Sequence, residues 1–77
     1  MEKILTQLQS KYNTQINKIE TFDNAEISIF LADGVNVSAF SQELQNHLVE
    51  IIDELTILQV NIVDAKGDLK DQFATNQ

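Results

Sequence analysis

Apolar residues recur at helical spacing in two segments of the chain. Near the start, four of them fall on one side of a helix while polar residues cover the rest: Ile4, Leu5, Leu8 and Tyr12. This pattern predicts a helix over residues 2–12. Further along, five large apolar residues share a narrow arc when successive residues are placed about 100° apart: Phe40, Leu44, Leu48, Ile51 and Leu55. This stripe predicts a second helix over residues 38–55, with its apolar side packed on a sheet.

The segment before the second helix is typical of a turn followed by a helix start. Gly34 supplies a backbone conformation that other residues resist, so Asp33-Gly34 is predicted to end a strand. Ser38 is the predicted N-cap, because its hydroxyl can accept a hydrogen bond from an unpaired backbone N–H of the first turn. The helix is therefore expected to begin after Val37.

Three shorter stretches have the character of β-strands. They are residues 15–21 (QINKIET), 26–32 (EISIFLA) and 57–64 (ILQVNIVD). The first carries Ile and Thr in a short extended pattern, the second alternates apolar with polar residues, and the third is a β-branched run with Leu58, Val60 and Ile62 on one side. The first two stretches are separated by Asp23-Asn24, a turn signal, and are predicted to form a hairpin.

The element order is therefore helix, strand, strand, helix, strand, which predicts an α+β two-layer sandwich. Both helices are expected on one face of a three-stranded sheet, in a single domain over residues 1–64. Residues 65–77 are polar and are predicted to be a flexible C-terminal tail. A short docking helix is the alternative there, because Leu69 and Phe73 are spaced at i and i+4.

This architecture leaves the second face of the sheet uncovered. Phe30, Ile57 and Val63 are expected on or near that face, and Leu69 and Phe73 could add to it. An exposed apolar face of this kind is typical of a contact surface. The sequence therefore predicts a protein-protein interaction or assembly module, self-associating through the free sheet face or an edge strand.

Composition narrows the possible partners. The chain carries twelve acidic residues against five lysines and no arginine, for a net charge of -7. Phosphate backbones and anionic lipid surfaces are bound by clustered basic residues, so neither nucleic acid nor direct membrane insertion is expected. There is no cysteine, and the first residues lack the apolar run of a signal peptide. A cytoplasmic protein without a cofactor is the expectation.

A group of polar residues on the second helix can be interpreted either as a metal site or as an ordinary solvated surface. Glu43, His47, Glu50 and Glu54 fall on one ridge beside the apolar stripe of the second helix. Glu43, His47 and Glu50 could share a divalent cation, which makes a metal-responsive regulatory domain the alternative function. The ridge also suits the solvated flank of an amphipathic helix. No group of nucleophile, base and orienting residue is present, so the protein is not expected to be an enzyme.

Residues 27–63 resemble the alkaline shock protein family. The matching residues are Gly34-Val35-Asn36-Val37, Leu44-Gln45, Leu55-Thr56 and Val60-Asn61-Ile62. They correspond to the family's apolar strand, Gly-Val-Asn turn, helix and Val-Asn-Val strand. The resemblance implies a non-enzymatic, self-associating protein of the envelope stress response, held near the membrane by an anchor partner.

Overall fold

The structure is a computed structural model that describes residues 2–23, 25–52 and 57–75. It contains two helices and four strands, in the order α1 (Glu2–Lys11), β1 (Ile16–Phe22), β2 (Glu26–Leu31), α2 (Val37–Ile51), β3 (Gln59–Val63) and β4 (Leu69–Ala74). The α+β class and the order of the first five elements are confirmed. The prediction of a three-stranded sheet is corrected, because β4 adds a fourth strand.

The four strands form one mixed sheet in the order β1-β2-β3-β4. β1 is antiparallel to β2, β2 is parallel to β3, and β3 is antiparallel to β4. The parallel pair at the centre requires a crossover, since a hairpin can join only antiparallel strands. α2 supplies that crossover.

The core lies between the helices and one face of the sheet. Strand residues on this face alternate with outward-facing ones, and Ile29 and Ile62 pair at its centre. The buried apolar cluster comprises Leu8, Tyr12, Ile16, Ile27, Ile29, Leu31, Phe40, Leu44, Leu48, Ile52, Leu58, Val60 and Ile62. The predicted stripe of α2 is confirmed for Phe40, Leu44 and Leu48, whereas Ile51 is half-buried and Leu55 lies outside the described residues. No described helix is long and apolar enough to cross a membrane.

The residues predicted to form a tail include strand β4. The β3–β4 turn is organised by Asp64, whose carboxylate accepts hydrogen bonds from the backbone N–H groups of Lys66 and Asp68, each at 2.9 Å. The Asp68 hydrogen bond is the main reason why the pKa of Asp64 lies below its usual range. Gly67 adopts a φ of 91°, which a glycine accommodates.

A side-chain hydrogen bond to α2 and apolar packing on the core hold β4 against the helical layer. The Ser41 hydroxyl of α2 donates a hydrogen bond to the Asp71 carboxylate, and Phe73 packs on the core. A register shift opposite Ile62 and Val63 interrupts the alternation at the start of β4. Because of this bulge and its polar composition, β4 cannot be predicted from apolar periodicity.

The start of α2 also differs from its prediction. The N-cap is Asn36 and the helix begins at Val37, so Ser38 lies inside the first turn. The Asn36 side-chain oxygen accepts a hydrogen bond from the Ala39 backbone N–H at 3.0 Å. Asparagine and serine are comparable caps, and the loop geometry places Asn36 where the cap is needed.

Candidate functional site

We call the face of the sheet away from both helices the open face. Strand pairing arranges its side chains in three rows that cross the sheet. The first row contains Lys18, Phe30, Val63 and Leu69. The middle row contains Glu20, Ser28, Asn61 and Gln72. The third row contains Phe22, Glu26, Gln59 and Ala74. Each row takes one residue from each strand, so the face exists only when all four strands are paired.

The first row is mainly apolar. Val63 lies between Phe30 and Leu69 and is only 8% exposed, whereas Leu69 is 55% exposed. The Lys18 ammonium lies 4.7 Å from the centre of the Phe30 ring, within the range of a cation–π contact. Leu69 is therefore the apolar residue of this row that remains most available to a partner.

The middle row is polar and is built around Asn61. Its amide nitrogen donates to Glu26 at 2.8 Å and to Ser28 at 3.1 Å. Its oxygen accepts from the Gln72 amide at 2.8 Å and from the Gln59 amide at 3.3 Å. An asparagine offers two donors and two lone pairs, so Asn61 is fully satisfied by its neighbours. The centre of the open face is thus a preorganised amide network.

The remaining exposed apolar groups also gather at this face. Four large apolar side chains are exposed among the described residues: Phe22, Val49, Ile57 and Leu69. Phe22 belongs to the third row. Ile57 lies two residues before Gln59, just outside β3, and continuing the alternation of that strand places it at the rim of the open face. Val49 alone lies on α2. The open face and its rim therefore hold three of the four.

Acidic charge is sparse on this face. Only Glu20 and Glu26, of the twelve acidic residues in the chain, belong to the three rows. The Lys18 ammonium lies 3.6 Å from a carboxylate oxygen of Glu20. The charges of Lys18, Glu20 and Glu26 give the face a local sum of -1. The net charge of -7 therefore lies almost entirely elsewhere, and it opposes association at this face only weakly.

The structure brings together part of the contact set predicted from sequence. Phe30, Val63 and Leu69 are neighbours in one row, and Ile57 lies at the rim. Phe73 instead faces the helices and packs on the core. Sequence reasoning missed Phe22, because the first strand was expected to end at residue 21 and not at residue 22.

Among its described residues, the predicted ridge around His47 does not gather the side chains that a metal centre needs. Glu43 and Glu50 are exposed, His47 is half-buried, and Glu54 lies outside the described residues. No group of three acidic or histidine side chains within the described residues is close enough to hold a metal ion. His47 instead lines an open cleft of about 460 Å³ between α1 and α2 and contacts Tyr12 edge-on, with 6.1 Å between ring centres.

Tyr12 links this ridge to the core. The ring is 2% exposed and also meets Phe40 edge-on at 5.1 Å. Its hydroxyl is buried without a hydrogen-bond partner among the described residues. Burial raises the pKa of Tyr12 above its ordinary value of 10.0, and the negative charges of Glu43 and Glu50 raise it further. The neutral phenol is therefore strongly favoured in the folded state.

Alkaline pH is expected to destabilise the protein through Tyr12. A pKa raised on folding contributes stability that is present below the unfolded-state pKa and is lost as pH rises through the folded-state pKa. The thermal midpoint should therefore fall as pH rises above about 10. Tyr12→Phe should show a smaller fall, since it removes the ionisable hydroxyl and keeps the ring. Circular dichroism melts of both proteins across this range test the expectation, and equal falls would contradict it.

Comparison with known proteins adds no family assignment. No protein-family model, curated protein or solved structure matches the chain. The resemblance to the alkaline shock protein family therefore stays a prediction.

Proposed function

We propose that the protein is a non-enzymatic interaction module that self-associates, with a second copy covering the open face. The observation that carries this proposal is the composition of that face: three of the four exposed large apolar side chains lie on it or at its rim, and only two of twelve acidic residues belong to its rows. Apolar surface drives association, and its clustering on one side of a small domain marks a contact site.

A second copy suits this surface because of how the charge is distributed. Two molecules that each carry a charge of -7 repel one another when their acidic surfaces meet. Contact through the open face keeps ten of the twelve acidic residues of each copy outside the rows that meet. The face is thus the side on which like molecules can approach at the lowest electrostatic cost.

The two edge strands are less suitable for assembly. β1 carries a register shift between Ile16 and Lys18, and β4 carries one opposite Ile62 and Val63, next to Lys70. Bulges and lysines on an edge oppose the addition of another strand. Of the two surfaces predicted from the sequence, face packing is therefore favoured over edge pairing.

Phe22→Glu is expected to shift the protein from dimer to monomer. Phe22 is 49% exposed, so a carboxylate there stays solvated in the monomer, whereas the dimer would have to bury it. Multi-angle light scattering over a concentration series should give twice 8.7 kDa for the original chain and 8.7 kDa for the variant. Val63 is unsuitable for this test, because it is already largely buried within the monomer.

Val49→Glu provides the matched control. It makes the same change of charge at an exposed apolar residue, 76% exposed on α2, away from the open face. This variant should remain dimeric, and circular dichroism should show both variants folded. A strictly monomeric original chain at high concentration would refute the proposal, as would equal dissociation in the two variants.

A further inference from the structure

We infer that the two copies pack about a twofold axis that runs along the strands, between β2 and β3. β2 of one copy then lies over β3 of its partner, and β1 lies over β4. This inference rests on the proposed self-association and assigns the pairing of residues across the interface.

Symmetry leaves two limiting arrangements. A dimer of identical copies uses the same surface on both, and two faces that oppose each other place the twofold axis in the plane between them. In the aligned class of face-to-face packing, which we assign to this dimer, the strands of the two sheets lie within about 30° of each other. The axis therefore runs close to the strand direction or close to the perpendicular direction across the strands.

An axis along the strands places each row on the same row of the partner. Phe30 then faces the partner's Val63, and both are apolar. The remaining pairs are Ser28 with the partner's Asn61, Glu26 with the partner's Gln59, Glu20 with the partner's Gln72, Phe22 with the partner's Ala74, and Lys18 with the partner's Leu69. Apolar groups mostly meet apolar groups, and each glutamate meets an amide.

Glu26 can accept a hydrogen bond from the partner's Gln59. The Gln59 amide uses one hydrogen in its bond to Asn61 and has a second to donate. Glu26 accepts from Asn61 through one carboxylate oxygen, which leaves the other oxygen to receive that second hydrogen. The networks of the two copies can therefore be joined by a hydrogen bond between these two side chains.

An axis across the strands gives a poorer match. It places the first row on the third row of the partner, so that Phe30 faces the partner's Glu26 and Val63 faces the partner's Gln59. In the middle row Glu20 meets its own copy. Burying a carboxylate against an aromatic ring and opposing two like charges both cost free energy. The residue pattern therefore selects the axis along the strands.

Cysteine cross-linking distinguishes the two arrangements. The chain contains no cysteine, so single introduced thiols react without background. Glu20→Cys and Gln72→Cys occupy exposed positions on β1 and β4. The two variants are mixed in equal amounts and treated with a short bismaleimide that bridges the roughly 10 Å between stacked sheets. Mass spectrometry then identifies which chains are joined.

The axis along the strands predicts mixed products that join Glu20→Cys to Gln72→Cys. The axis across the strands predicts that each variant links mainly to itself. Phe22→Cys with Ala74→Cys provides a second pair, which should also link only in the mixed form. Glu43→Cys, exposed on α2, should not link.

The outcomes separate this inference from the function on which it rests. A protein that light scattering shows to be monomeric refutes both. A dimer with self-linked products, or one in which neither cysteine pair links, overturns the assigned axis and leaves self-association standing. Mixed products from both pairs in a folded dimer support the assignment.

Discussion

Leu44→Ala is expected to lower the free energy of unfolding by about 2–5 kcal/mol. Leu44 is fully buried on α2, within the cluster between the helices and the sheet. The substitution removes buried methyl groups and leaves a cavity that the neighbouring side chains fill only in part. A domain of 77 residues has roughly 4–12 kcal/mol of stability in total, so this loss is a large share of it.

Urea unfolding followed by circular dichroism measures the effect of Leu44→Ala. Val49→Ala on the same helix is the control, because Val49 is 76% exposed. It should change the stability by no more than about 0.5 kcal/mol. Similar losses in the two variants would show that α2 does not pack through the side that carries Leu44.

A chain that ends at Asp68 is expected to lose cooperative unfolding, with a destabilisation of at least about 3 kcal/mol. The truncation removes β4, including Phe73 from the core and the Asp71 carboxylate that accepts from Ser41. It also leaves the backbone of β3 unpaired on one side, and the buried Ser41 hydroxyl loses a partner. A tail without strand structure could be removed with almost no effect.

Thermal unfolding by circular dichroism separates these possibilities. Lys70→Ala is the matched control within β4, since Lys70 is exposed and its ammonium lies 3.7 Å from Asp64. Surface ion pairs of this kind contribute about 0–1 kcal/mol, so the control should melt close to the original chain. An unchanged melting curve for the truncated chain would show that β4 is dispensable.

Apolar periodicity predicted the fold where one side of an element is buried. α1, α2 and the two inner strands, β2 and β3, each bury one consistent side, and residues such as Leu8, Ile29 and Ile62 made that period visible. β4 could not be found this way. It buries part of only one large apolar side chain, Phe73, and a bulge displaces its first residues from the alternation.

The candidate site was predictable in outline because it follows from topology. Two helices on one side of a sheet leave the other side open, and alternation placed Phe30 and Val63 there. The Asn61 network was not predictable, because it depends on strand register. Asn61 meets Ser28 and Gln72 only when β3 lies between β2 and β4, and the sequence does not specify this order.

The open face is assembled from two distant parts of the chain. Ser28 lies on β2 and Asn61 on β3, 33 residues further along. Contacts between distant residues form more slowly than local ones, since chain entropy is lost before the contact is made. The β1–β2 and β3–β4 hairpins are local, so the joining of β2 to β3 completes the sheet. A nascent chain from which β3 has not yet emerged therefore lacks half of the open face, and the proposed self-association would wait for the finished fold.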